Sequence, residues 1–262
     1  MTAGKMATAD ARTGGQQQTM RPGRWTGITP GIAALAIGIA SPFLGGCGST
    51  QQTGEKGLVT FTASGCGGAL SDLAGCDLKK SIAVGGWVDV KATRNSTGAT
   101  LSLRTDLPAV LDVQPSDNGG SAIVGMGTGS AYLSATDVNL ADIDRLSIKV
   151  AEIAQLAYNT VSTSFGTFRL QPVGDVDGTF DLNDGVTNFT LLFLQVDGGG
   201  QTLLGRDTTT AELSAGLNYQ QGKSAPHNLQ YELVRPSAAG MYYLTLRAKY
   251  GPGKFKLQIN VK

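Results

Sequence analysis

Beyond residue 57 the chain alternates between apolar and polar positions. Val88, Val90 and Ala92 fall two apart, then Leu101 and Leu103, then Ala131, Leu133 and Ala135, then Leu146, Ile148 and Val150. Period two puts one face of an extended segment in a core and the other in water, so each run predicts a half-buried strand. Leu58–Ala63 predicts an earlier one. Between the runs stand Asn95-Ser96-Thr97-Gly98, Asp106-Leu107-Pro108, Asp117-Asn118-Gly119-Gly120 and Gly125-Met126-Gly127-Thr128-Gly129. These are turn residues, which bond their own backbone or supply a left-handed position. The pattern resumes after Phe165 with Thr167–Leu170. Phe189–Val196 follows and is nearly continuous in apolar character, as a strand buried on both faces would be. Thr202–Gly205, Thr208–Leu213, Leu229–Val234, Met241–Tyr250 and Lys254–Val261 complete the series, with Gly251-Pro252-Gly253 joining the last two.

Short alternating strands at this spacing predict an all-β fold of sandwich type. The expected organisation is two tandem immunoglobulin-like β-sandwich domains, 58–153 and 165–262, with the boundary between Val150 and Phe165. Tyr158, Val161 and Phe165 are expected to pack between the halves and stiffen the pair.

The run from Ile82 to Val150 also resembles a bacterial immunoglobulin-like domain of the group 2 type, a module of bacterial surface proteins. The apolar-Val-Gly opening is matched by Ile82–Gly85. The family's Trp-Ser-Ser-x-x-Pro-x-Val segment is matched in part by Leu103–Val110, with Leu103 where the family usually has Trp. Its glycine-turn strand is matched through Gly129, Ala131, Leu133 and Ala135. The resemblance implies a scaffold rather than a chemistry. Asp137–Asp144 lengthens the last hairpin beyond the family's usual pattern.

The head of the chain reads differently. Arg21 and Arg24 precede an apolar run from Ile28 to Leu44, which closes on Leu44-Gly45-Gly46-Cys47. A basic end, a short apolar core and small residues at the cut make a secretory signal. The run is too short and too interrupted by Pro30 and Pro42 for a span of about 20 residues. With cysteine after the small pair, it resembles the lipobox of bacterial lipoproteins, which implies that Cys47 is lipidated and becomes the mature N-terminus. Residues 1–19 are expected to be a spurious or disordered extension, with Met20 as the start. Residues 20–46 are then the signal peptide and 47–57 a flexible, lipidated tether. Gly48 and Ser49 follow Cys47 in place of the Asp that retains lipoproteins in the inner membrane, so the expected location is the outer membrane.

Composition narrows the function. From Cys47 on, 17 Lys and Arg stand against 19 Asp and Glu, which is no basic footprint for nucleic acid. Cys66 and Cys76 are an even pair in an exported chain and read as a disulfide; zinc would want about four ligands. His227 is the only histidine and stands in no motif that would make it a base. Gly125–Gly129 lacks the lysine of a phosphate loop. Asp175, Asp177, Asp181 and Asp184 form a weak calcium candidate, since calcium takes several oxygens on a sharp turn; their spacing departs from the EF-hand loop and also fits ordinary hairpin turns.

The expectation is therefore a non-catalytic, lipid-anchored envelope protein without a cofactor. Its tandem domains would adhere, bind or space, with the membrane and an envelope protein or polysaccharide as partners. Its candidate binding surface is the C-terminal hairpin: Tyr242, Tyr243, Arg247, Lys249, Tyr250, Lys254 and Lys256, which equally suit the solvated face of an edge hairpin. The alternative is an accessory subunit or hydrolase with a site of loop carboxylates.

Overall fold

The computed structural model describes residues 50–66, 76–116, 119–159, 164–170, 172, 174–223 and 229–262. The 1–19 extension, the signal stretch 20–46, Cys47, Val161 and His227 lie outside the described residues. Where described, the regular structure is all β, and its strands pack around two apolar cores.

In the first half, β1 (Gln51–Thr53), β2 (Val59–Ser64), β4 (Trp87–Arg94), β7 (Ser121–Gly125) and β6 (Leu111–Pro115) lie side by side, antiparallel throughout. Opposite them run β3 (Ile82–Ala83), β9 (Asp142–Ala151), β8 (Gly129–Thr136) and β5 (Thr100–Thr105), with β3 parallel to β9. β5 serves both layers. Thr100 and Leu101 pair with β4, and Ser102–Thr105 pair with β8, so the sheet folds over itself there. Phe61, Val88, Leu111, Ile123, Leu133 and Ile148 fill the space between and are fully buried. Leu103, at the family's tryptophan position, packs half-buried against this core.

In the second half, β10 (Gln155–Tyr158), β13 (Asn188–Val196), β16 (Gln230–Val234) and β15 (Asn218–Tyr219) make one sheet. The other is β11 (Gly166–Arg169), β12 (Gly178–Leu182), β18 (Lys254–Val261), β17 (Gly240–Ala248) and β14 (Thr209–Leu213), with β12 parallel to β18. Rings hold this core together. Phe193 stands edge-on to Tyr158, Tyr231 and Phe255, at 5.6 Å between centroids in each case, a geometry that adds about 0.5–1.5 kcal/mol per pair to area burial.

Three expectations change. First, the tether is shorter than 47–57, because Gln51–Thr53 is an edge strand on β2. The turn that follows is fixed by Asp144, whose carboxylate accepts the N–H groups of Lys56, Leu58 and Val59 at 2.8, 2.8 and 3.1 Å. Second, β13 is not buried on both faces. Phe189, Leu191, Phe193 and Gln195 point into the core while Thr190, Leu192, Leu194 and Val196 are half-buried, the mark of a strand covered on one side. Third, the cores exchange residues. Leu204 of the second half belongs to the first core, and Ala83 of the first half to the second.

Candidate functional site

The exchange is built on one irregular segment, residues 202–208. Leu204 donates its N–H to Ser81 O at 2.9 Å, and its carbonyl accepts the N–H of Ala83 at 2.8 Å. Gly205 N–H donates to the carbonyl of Cys66. Arg206 exchanges backbone bonds with Trp87 in both directions, at 3.2 and 3.4 Å. A strand-like segment from one half thus adds to the other, and backbone pairing of this kind fixes register as well as contact.

Gln195 holds the segment from behind. Its amide nitrogen donates to the carbonyls of Leu203 and Gly205 at 3.3 and 2.9 Å, and its oxygen accepts the Thr208 hydroxyl at 2.6 Å. It is 1% exposed, and a buried amide persists only where such partners satisfy it.

In front, Arg206 Nη2 donates to Asp89 Oδ2 at 2.8 Å, and the other carboxylate oxygen accepts the Ser116 hydroxyl at 2.6 Å. The guanidinium carbon lies 4.3 Å from the centre of a Trp87 ring, and Trp87 Nε1 donates to Asp207 at 2.8 Å. Close approach requires glycine here. A Cβ on Gly205 would stand 2.8 Å from Gly86 Cα, and one on Gly85 would meet the Tyr250 ring at 2.2 Å. Gly85 also has φ +74°, a conformation that side-chained residues avoid. Sequence reasoning set the contact between the halves at Tyr158 and Phe165, which pack in the second core instead; it missed this junction, at which only the polar Gln195 inside an apolar run hinted.

The expected disulfide is present, Cys66 to Cys76, with both residues buried. It sits directly beside the junction through the Cys66 carbonyl.

The seven residues of the hairpin surface divide. β17 and β18 are central in the five-stranded sheet, not its edge. Tyr243, Arg247, Lys254 and Lys256 alternate with the buried Leu244, Leu246, Phe255 and Leu257, and so lie on the sheet's open face. Tyr242 lies on the opposite face, packed against the second core, with its hydroxyl donating to Ala238 O at 2.9 Å. Lys249 and Tyr250 follow β17 at the junction, where Lys249 N–H donates to Thr208 O at 2.8 Å and Tyr250 covers Gly85. Lys256 is held by Asp175 and stands 4.9 Å from the Tyr243 ring centre.

The calcium candidates do not converge. Asp175 bonds Lys256, which holds its carboxyl below the usual range. Asp177 accepts the backbone N–H of Lys256 at 2.7 Å, Asp181 accepts Asn260 at 2.6 Å and lies 3.3 Å from Arg169, and Asp184 stands 3.9 Å from Arg235. Each carboxylate has its own partner, and among the described residues no group of three or more His, Cys, Asp or Glu is placed to hold a metal ion.

No family model and no curated protein matches the chain. Among solved structures it is similar to domains 5–6 of the S-layer protein SbsC, at 14% identity and TM-score 0.27 over 80% of this chain and 98% of that one. It is similar to invasin, a bacterial integrin-binding protein, at 12% identity and TM-score 0.27 over 78% of this chain and 40% of that one. It is also similar to the Yersinia pseudotuberculosis adhesin InvE, at 15% identity and TM-score 0.24 over 79% of this chain and 62% of that one. Both identity and TM-score are too low to place the chain in a family.

Proposed function

We propose that the protein is an exported, non-catalytic module of the cell envelope. It is anchored by lipid at Cys47, and its second sandwich core presents a binding face in an orientation fixed by the first. The observation that supports this most is the junction. Backbone pairing, the Arg206–Asp89 ion pair and the Gln195 amide bonds join the halves where a swivelling pair would have a polar linker. Inter-domain motion is the default where an interface is small and polar; a segment shared between two cores removes it. Such coupling suits a spacer or an adhesive module, which must hold a surface at a set position.

The strand β1 sharpens the anchoring. Gly48, Ser49 and Thr50 alone separate Cys47 from Gln51. At about 3.3–3.6 Å per residue the extended reach from Cys47 to β1 is about 14 Å, so β1 would rest close to the bilayer. Gly48 and Ser49 favour the outer membrane, as in the sequence reading. The group 2 immunoglobulin-like resemblance agrees with a scaffold role.

Acyl labelling tests the anchor: wild-type protein should carry label and Cys47→Ser should accumulate as an uncleaved, unlabelled precursor. Labelled mature protein from that variant would refute the anchor. A broad hydrolase screen tests the absence of catalysis, and robust turnover abolished by one Asp or Glu substitution would refute it.

A further inference from the structure

The open face of the five-stranded sheet carries a charge arrangement that its own residues leave unanswered. Arg247 and Lys254 are directly opposite partners on β17 and β18, and both are exposed. Like charges opposite each other on one face repel. Of the acids nearby, Asp175 and Asp181 are engaged elsewhere and Glu212 shares the face. Asp175 lies close enough to feel Lys254, yet it bonds Lys256. Asp181 is taken by Asn260 and Arg169. Glu212 of β14 stands opposite Thr245, one step along the face from Arg247. Among the described residues neither Arg247 nor Lys254 has a carboxylate within ion-pair distance.

Next to the opposed cations the face changes character. Gln258 is opposite Tyr243, and Thr245 lies between Tyr243 and Arg247 on the same side. The Gln258 amide nitrogen donates to Asn260 at 2.8 Å, and Asn260 donates on to Asp181. That chain orients Gln258 and turns its carbonyl oxygen to use as an acceptor. An aromatic ring, an oriented amide oxygen and a hydroxyl on a flat surface suit a ligand rich in hydroxyls and C–H faces. Two adjacent cations without an ion-pair partner suit a carboxylate on that same ligand.

We propose that this face, through Tyr243, Thr245, Arg247, Lys254 and Gln258, binds a carboxylate-bearing polysaccharide. The assignment rests on the envelope-binding reading above and supplies its ligand class. Arg247 and Lys254 grip the carboxylate, while Lys256, already neutralised by Asp175, contributes little. The occupant is a saccharide rather than a phospholipid surface because the groups beside the cations are a ring, a hydroxyl and an amide, which match sugar hydroxyls and C–H faces rather than a layer of phosphates.

The test uses the purified full chain in detergent micelles, with polygalacturonate as probe and neutral dextran, dextran sulfate and phosphatidylglycerol vesicles as comparisons. Polygalacturonate should bind with an affinity that falls as salt rises, and dextran should not bind. Arg247→Gln with Lys254→Gln should weaken binding about tenfold or more, roughly the loss of one charge-assisted contact. Lys256→Gln should change it less than about threefold on the same reasoning. Tyr243→Ala should weaken binding more than Tyr243→Phe. These residues face solvent, and a denaturation midpoint no lower than that of wild type will show that the double variant is folded. No binding of polygalacturonate overturns the proposal. So does binding that the double glutamine variant leaves intact, or capture of vesicles or dextran sulfate in preference to polygalacturonate. Binding is read on purified protein, so its failure leaves the anchor reading, decided by acyl labelling, untouched.

Discussion

Replacing Arg206 by methionine tests the physical account of the junction most directly. The substitution keeps a long apolar stem over Trp87 and removes the charge. It deletes the 2.8 Å bond to Asp89 and the cation–π contact, and it takes the guanidinium from an Asp89 carboxylate that is 8% exposed. Breaking a well-buried pair from one side costs about 3–5 kcal/mol. The Arg206 and Asp89 side chains are 21% and 11% exposed, so the low end of that range applies. Against it, Arg206 Nε is buried without an acceptor, and removing such an orphan donor returns about 1 kcal/mol. The net expectation is a loss of about 2 kcal/mol. Asp89→Asn added to Arg206→Met should recover part of it, because the buried negative charge is then removed with its cation and an amide oxygen can still accept from Ser116. Urea denaturation of the four proteins of this cycle, followed by tryptophan fluorescence, measures both terms; Trp87 reports from the junction itself. A loss below about 0.5 kcal/mol in Arg206→Met, in the range of an exposed pair, would refute the claim that this ion pair holds the halves. So would a double variant less stable than the single one.

Two further outcomes follow from the first half. Burial pushes the Asp144 carboxyl up, but backbone N–H bonds from Lys56, Arg145, Leu58 and Val59 outweigh it, and the group sits below the ordinary Asp range. Its stabilisation is therefore complete above the unfolded value near pH 4 and is lost as pH falls through the lower folded value; Asp144→Ala should cost about 2–3 kcal/mol at pH 7 and show a shallower acid loss than wild type in pH-dependent denaturation. Replacing Cys66 and Cys76 together by alanine should cost about 2–3 kcal/mol by loop entropy for a separation of 10 residues, measured as a denaturation midpoint shift, and thiol titration of the unreduced, denatured wild type should find neither cysteine reactive.

The sequence by itself determined most of the strands and which of their residues face a core. Alternation placed Val88, Val90, Leu133 and Ile148 inside, and they are buried, because burial on one face of a strand must recur every second residue. It also pointed to the disulfide, since Cys66 and Cys76 stand as an even pair in one glycine-rich stretch. Tertiary structure alone decided the rest. Nothing local in Thr202–Thr208 says that it will pair with Ile82–Trp87, because that pairing joins strand ends more than a hundred residues apart. Nothing local in Gln195 distinguishes a buried bracket from a solvated polar residue; its three partners come from a neighbouring loop. The polar stretch before Leu58 reads as a tether until Asp144, brought by another hairpin, supplies acceptors for its backbone. The hairpin surface divided for the same reason. Period two separates Tyr242 from Tyr243, but only the sheet order makes β17 and β18 central and sets Arg247 against Lys254 with no acid between them.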